Sequence, residues 1–243
     1  MFRHSIFFIF FVVLAGCAQI PEEKADERDP LQSFNRPMYD FNMDVLDAYI
    51  LRPAAVGYIT VTPAPVRRSI VNFTHNITAP TDMVNAGLQG KPGNMGISFA
   101  RFLVNSTVGL LGFFDVASSL GLEIVDEDFG QTLGVWGVGD GAYLMIPGMG
   151  PSTARNLTGD VVDNFVLPEI TLTTPQTILV FALKAVEARA SLMPQESLLN
   201  ESLDPYIFMK DIYFQRQLYE LYDGNPPVEK EPDDFDEDFL ENL

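Results

Sequence analysis

Beyond residue 17, the longest uncharged apolar stretch of this 243-residue chain runs from Phe102 to Phe114, thirteen residues that include Asn105, Ser106 and Gly109 and lie between Arg101 and Asp115. A helix that crosses a bilayer needs about 20 predominantly apolar residues. A chain that is 47% apolar yet has no such run must divide its apolar surface among short amphipathic elements, packed in a core or laid in a membrane interface. The periodicity agrees. Phe34, Met38, Phe41, Val45 and Tyr49 recur at spacings of three and four and stack along one helical stripe, with Asp40, Asp44 and Asp47 off it. Asp29 before Pro30, with Gln32 three residues on, reads as the cap of that helix, and Pro37 is expected to kink or split it near Ser33. Further helices are expected over Val66 to Ile77 and after Lys91-Pro92-Gly93, the latter carrying Met95, Phe99, Phe102 and Leu103. Two more open at Thr174-Pro175, with Ile178, Phe181, Ala182, Ala185 and Leu192 on one face, and at Asp204-Pro205, running through Met209, Tyr213 and Leu221 to Gly224 as a stop. Period-two alternation is confined to about Ala142 to Ile146. The fold class is mainly α.

The amino terminus has a short basic stretch with Arg3 and His4, an apolar run from Ile6 to Leu14, and then Leu14-Ala15-Gly16-Cys17, which holds the only cysteine. This is the grammar of an export signal, and its last four residues resemble a bacterial lipobox. The expectation is a signal peptide over 1–16 and lipid attachment at Cys17. Similarity to lipoproteins of two-membraned bacteria implies the periplasmic side of the outer membrane, because Ala18 stands where inner-membrane retention usually needs Asp. Residues 18–28 show no periodic apolar pattern, so 17–29 reads as a lipid-anchored flexible tether, 30–222 as the folded domain and 223–243 as an acidic disordered tail.

The net charge of −18 is unevenly spread: 223–243 carries −8, 17–29 carries −3, and the 193 residues from 30 to 222 carry −8. Nothing in that balance neutralises phosphates in series, which excludes nucleic acid as a partner. With Cys17 acylated no thiol is left for a disulfide or a nucleophile, and His75 is the only imidazole after residue 16. A histidine-based metal site or a Ser-His-Asp relay has little to work with, and no G-x-S-x-G elbow occurs. No cofactor is implied.

Residues 130–151 are rich in glycine, with Gly134, Gly137, Gly139 and Gly141 closely spaced but no following Gly-Lys-Ser/Thr. That pattern suits a tightly turning backbone, or one closely approached by a ligand, rather than a phosphate loop. Asp29-Pro30-Leu31 through Phe34-Asn35-Arg36, Met38-Tyr39-x-Phe41-Asn42, Arg101-Phe102-x-x-Asn105-Ser106-Thr107 and Phe129-Gly130-Gln131-Thr132-Leu133-Gly134 carry a resemblance. So do Gly137-Val138-Gly139, Gly150-Pro151-Ser152, Asp204-Pro205-Tyr206 and Tyr213-x-Gln215-Arg216. In this order, over about residues 29–222, they resemble the MlaA (VacJ) family of outer-membrane phospholipid-transport lipoproteins. Asn156 follows Arg155 where that family often has Asp.

The resemblance implies a ring-like bundle of amphipathic helices embedded in one membrane leaflet around a central amphipathic channel. It also implies removal of misplaced glycerophospholipids from the outer leaflet, delivery to a periplasmic lipid-carrier protein, and association with a trimeric porin. Candidate channel residues are Gly134, Trp136, Gly137, Gly139, Gly141, Tyr143, Pro147, Asp160, Asp163 and Phe165. The acids of the tail, with Phe235 and Phe239 interleaved, are expected to dock a basic surface of the carrier. Two other classes compete: a structural lipoprotein that braces a porin or envelope complex, and a phospholipase, whose nucleophile and base the sequence does not supply.

Overall fold

The computed structural model describes residues 26–165 and 173–227; the signal, Cys17, the tether up to residue 25 and the tail from residue 228 lie outside the described residues. Helices α1 (Gln32–Asp40), a π-helical stretch (Phe41–Leu51) and α2 (Arg52–Val61) follow one another directly. Then come α3 (Ala64–Leu88), α4 (Pro92–Thr107), the single turn α5 (Val116–Ser119) and α6 (Phe129–Val135). An antiparallel hairpin, β1 (Tyr143–Ile146) and β2 (Gly150–Thr153), pairs Tyr143 with Thr153 and Ile146 with Gly150. It leads into α7 (Ala154–Phe165), α8 (Thr174–Leu192), α9 (Glu196–Asn200) and α10 (Pro205–Leu221). The result is a mainly helical, ring-like bundle, and among the described residues no helix is long and apolar enough to cross a membrane.

The first helix departs from expectation at both prolines. Asp29 is not its cap: α1 begins at Gln32, and the Asp29 carboxylate is buried, accepting from Asn35 Nδ2 (2.7 Å), the Tyr206 hydroxyl (2.5 Å) and Lys210 Nζ (3.2 Å). Pro37 does not split α1 either. So near the helix start its missing N–H forfeits one backbone bond, to the Ser33 carbonyl. The ladder instead widens in the π-helical stretch that begins four residues later, and at its end the Arg52 amide donates to the Asp47 carbonyl five residues back. By contrast, Asp204 caps α10 as read, accepting from the Ile207 amide at 3.1 Å, and Gly224 ends that helix region with φ +81°.

Polar side chains lock these elements together. Asn35 donates to the Tyr143 carbonyl and accepts from the Met145 amide, both at 2.9 Å, which fixes α1 against β1. Asn42 repeats the pattern two turns on, with the Ile146 carbonyl and the Gly148 amide. Around them Tyr39, Tyr143, Met145 and Tyr206 form the apolar core, with Tyr39 and Tyr143 edge-on to Tyr206 at 5.7 and 6.2 Å. Arg101, in α4, donates to Asp115 (3.0 Å), Ser118 (3.1 Å) and the Leu122 carbonyl. Burial pushes the Asp115 carboxyl up, but bonds from Ser118, Asn105 and Arg101 outweigh it and hold it at about 2. Helices α6 and α7 approach so closely that a Cβ on Gly159 would lie 2.3 Å from the Gly130 nitrogen.

The distribution of apolar groups is inverted relative to a water-soluble domain. Nineteen polar or charged side chains are buried against ten apolar ones, while thirty-five large apolar side chains are exposed among the described residues. The stripes read from sequence face outward: Phe34, Phe41, Val45 and Tyr49 on the first helix, Met95, Phe99 and Leu103 on α4, Ile178, Phe181 and Leu192 on α8. Opposite faces turn inward: Asp47 is buried and held by Arg189 at 2.5 and 2.9 Å, and Ser98, Arg101 and Asn105 are the buried side of α4.

Candidate functional site: a polar cavity within an apolar exterior

Five helices and β2 surround a cavity of about 720 Å³. From α3 it receives Ile70, Val71, Thr74, His75, Thr78 and Asp82; from the start of α6 and the loop before it, Asp126, Glu127, Asp128 and Gln131. Pro151 and Ser152 of β2, Asn156 and Asp160 of α7, Leu183, Lys184, Glu187 and Ala188 of α8, and Tyr213, Arg216, Gln217 and Glu220 of α10 complete the wall. Polar residues dominate its lining, with seven carboxyl groups against Lys184, Arg216 and His75.

Most of these acids are held. Glu127 takes Lys91 Nζ at 3.2 and 3.3 Å and Asn94 Nδ2 at 2.9 Å. Asp128 caps α6 through the Gln131 amide at 2.6 Å. Glu220 takes Arg216 at 2.6 Å and Gln217 at 3.1 Å. Behind the wall, Asn85 donates to Asp163 (2.9 Å) and accepts from Thr132 (3.1 Å), and Asp163 also accepts from the Phe129 amide (2.9 Å). That network joins α3, α6 and α7. His75 stands 3.3 Å from Asp126, and this contact holds the Asp126 carboxyl below its ordinary range.

Asp82 is different. It is 9% exposed, faces both the large cavity and a pocket of about 20 Å³ behind it, and makes no hydrogen bond or ion pair among the described residues. Burial, together with the charges of Asp126, Asp163 and Glu127 and against the pull of Lys184, pushes its carboxyl up to about 8. Burial and like charges also raise Asp128, Asp160 and Asp163. Asp82 therefore holds its proton at a pH where an exposed carboxylate would hold none.

Of the ten candidate channel residues, Asp160 lines this cavity. Asp163 lies one turn on and anchors the wall from behind, and Phe165 closes α7. The others are placed elsewhere. Gly134 packs under Leu221 and Arg155, and Gly137 and Gly141 adopt φ values of +88° and +70°, which turn the chain out of α6 and into β1. Gly139 lies in the same exposed loop. Trp136 is half-exposed, its Nε1 donating to the Leu88 carbonyl at 3.2 Å and its ring edge-on to Phe129. Tyr143 is fully buried in the aromatic core and Pro147 is exposed at the hairpin turn. The stretch 130–135, expected to be a tight turn, is helical because Asp128 caps it.

The remaining wall residues escaped the sequence reading, although a signal existed. Thr74, Thr78, Asp82 and Asn85 recur at spacings of four, four and three, a polar stripe on a helix otherwise read only for its apolar face. Tyr213, Arg216, Gln217 and Glu220 do the same on α10.

The family model of the MlaA lipoprotein matches residues 27–220. The intermembrane phospholipid transport system lipoprotein MlaA of Escherichia coli (strain K12) is 39% identical over 223 residues, covering 90% of this chain and 89% of that protein. Its namesake in Haemophilus influenzae is 34% identical over 231 residues, covering 92% of each. A solved chain, from work on the structural basis for maintenance of bacterial outer membrane lipid asymmetry, superposes with a TM-score of 0.75 at 42% identity. It covers 79% of this chain and 98% of that one.

Proposed function

The chain belongs to the MlaA lipoprotein family, and we propose that it removes misplaced glycerophospholipids from the outer leaflet of the outer membrane and passes them, intact, through its polar cavity to a periplasmic carrier. The observation that carries this reading is the inversion: an apolar exterior around a cavity of about 720 Å³ whose wall carries seven carboxyl groups, Lys184, Arg216 and His75. An apolar exterior can sit among acyl chains without a spanning helix. The interior gives a headgroup the polar surroundings it would otherwise lose on crossing hydrocarbon. A phospholipid with about thirty methylenes loses on the order of 20 kcal/mol on entering water, at ~0.8 per methylene, so a shielded path replaces diffusion.

In this reading acyl chains on Cys17 hold the domain on the periplasmic side, and the exposed segment Val108, Leu110, Leu111, Phe113 and Phe114 enters the lipid. Asp160 and Asp163 belong to the headgroup path, and the Gly134 to Pro147 segment to its flank. A trimeric porin is the proposed lateral partner, and the acidic tail the proposed contact with the carrier. Reconstitution of the lipidated chain with labelled phospholipid and a periplasmic carrier tests the proposal. Intact lipid should reach the carrier; transfer no greater than from vesicles alone refutes conduction, and released fatty acid would instead support the phospholipase reading.

A further inference from the structure

The wall of the cavity contains charges that the protein leaves without partners. Asp82 on α3 and Asp160 on α7 accept no side-chain hydrogen bond and form no ion pair among the described residues, and neither does Lys184 on α8 donate one. All three line the same cavity, Asp82 buried and Asp160 and Lys184 exposed to its open space; Asp82 and Asp160 both feel the charge of Asp163, and Lys184 that of Asp82 and Asp126. Gln131 of the same wall is 5% exposed, and its Oε1 is sealed from solvent without a partner. Convergent metal chemistry does not account for these groups, since no group of three or more potential ligands comes together among the described residues.

Resting on the transport reading above, we propose that this wall selects a zwitterionic headgroup with a primary ammonium, the ammonium lying between Asp82 and Asp160 and the adjoining phosphate at Lys184. A buried carboxyl with no counter-charge is costly to ionise. An ammonium supplies both the counter-charge and N–H donors, and the phosphate supplies the partner that Lys184 lacks. A headgroup with a net negative charge meets the same phosphate site but adds nothing to the acids. Proton release from Asp82 accompanies capture, governed by His75, Asp126, Asp163, Glu127 and Lys184, the groups that surround it.

The test uses the full lipidated chain, equilibrated in detergent with an equimolar mixture of phosphatidylethanolamine and phosphatidylglycerol, followed by mass measurement of the lipid that co-purifies. The bound ratio should favour phosphatidylethanolamine roughly fivefold, the equivalent of about 1 kcal/mol. Asp82→Asn with Asp160→Asn should bring it near unity. A wild-type ratio equal to the mixture, or a ratio that the double variant leaves unchanged, overturns the selectivity and leaves transport standing. Failure to bind either lipid overturns the transport reading itself, and the selectivity with it.

Discussion

Replacing Lys210 by Met tests what holds the domain closed. The ammonium is 1% exposed as a side chain, 2.8 Å from Asp26 and 3.2 Å from Asp29, and 5.7 Å from the centre of the Tyr206 ring. Methionine fills similar volume, so the loss is electrostatic rather than a cavity. Removing one member of a buried pair costs about 3–5 kcal/mol, because the remaining charge is left desolvated. Asn35 and the Tyr206 hydroxyl still donate to Asp29, which puts the expected loss near the lower end, about 3 kcal/mol. For a domain of this size each 1 kcal/mol lowers the midpoint by about 2–4 °C, so Lys210→Met should melt about 6–12 °C earlier. Adding Asp29→Asn removes the stranded charge and should recover part of that loss. Thermal unfolding by circular dichroism of the lipidated chain in one detergent measures wild type, both single variants and the double variant. A fall of under 2 °C for Lys210→Met, or a double variant that loses the full sum of the two singles, would refute the claim that this buried pair holds α10 to the start of the domain.

Other perturbations separate shape from chemistry. Asp82 holds its proton up to about 8 when folded but only to its ordinary 3.8 when unfolded, so its contribution favours folding below pH 4 and is lost as pH rises through 8. The melting midpoint of wild type should therefore fall relative to Asp82→Asn between pH 5 and pH 9, and parallel curves would contradict the assigned burial. Gly159→Ala, whose Cβ meets the Gly130 backbone, should cost about 1–3 kcal/mol, whereas Gly96→Ala, with open space around it in α4, should be neutral or stabilising. Equal melting shifts for the two would show that the α6–α7 approach is not tight. A Cys17→Ala protein should lose its covalent anchor yet still sediment with phospholipid vesicles, because the apolar surface remains; complete release would identify the lipid as the only attachment.

Periodicity revealed which side chains share a face, and it located four of the longer helices, the cap at Asp204 and the strand near Tyr143. It could not reveal what each face sees. The stripes of Met95, Phe99 and Leu103, or Ile178 and Phe181, have the same spacing whether they meet a core or lipid, and here they are exposed. Asp29 looked like a cap because Asp-Pro is a strong local signal; its actual partners lie as far off as Tyr206 and Lys210, beyond any local reading. The cavity drew its wall from six separate elements, so only Asp160 among the chosen candidates reached it. Tyr143 stands beside the glycines in sequence, and the hairpin that follows them puts it at the centre of the aromatic core.

The inversion of apolar and polar groups also reverses the usual map of mutational tolerance. In a water-soluble domain an apolar truncation threatens folding and a polar one at the surface passes unnoticed. Here Phe99 or Phe181 to Ala should change how deeply and firmly the molecule is seated, with little effect on its internal geometry. Asn35, Asn85 or Asn105 to Ala should loosen the architecture itself, since the first two join elements far apart in the chain and Asn105 ties α4 to the turn α5 that follows it. Residence and shape are thus encoded in two nearly separate sets of residues, and either can drift without the other.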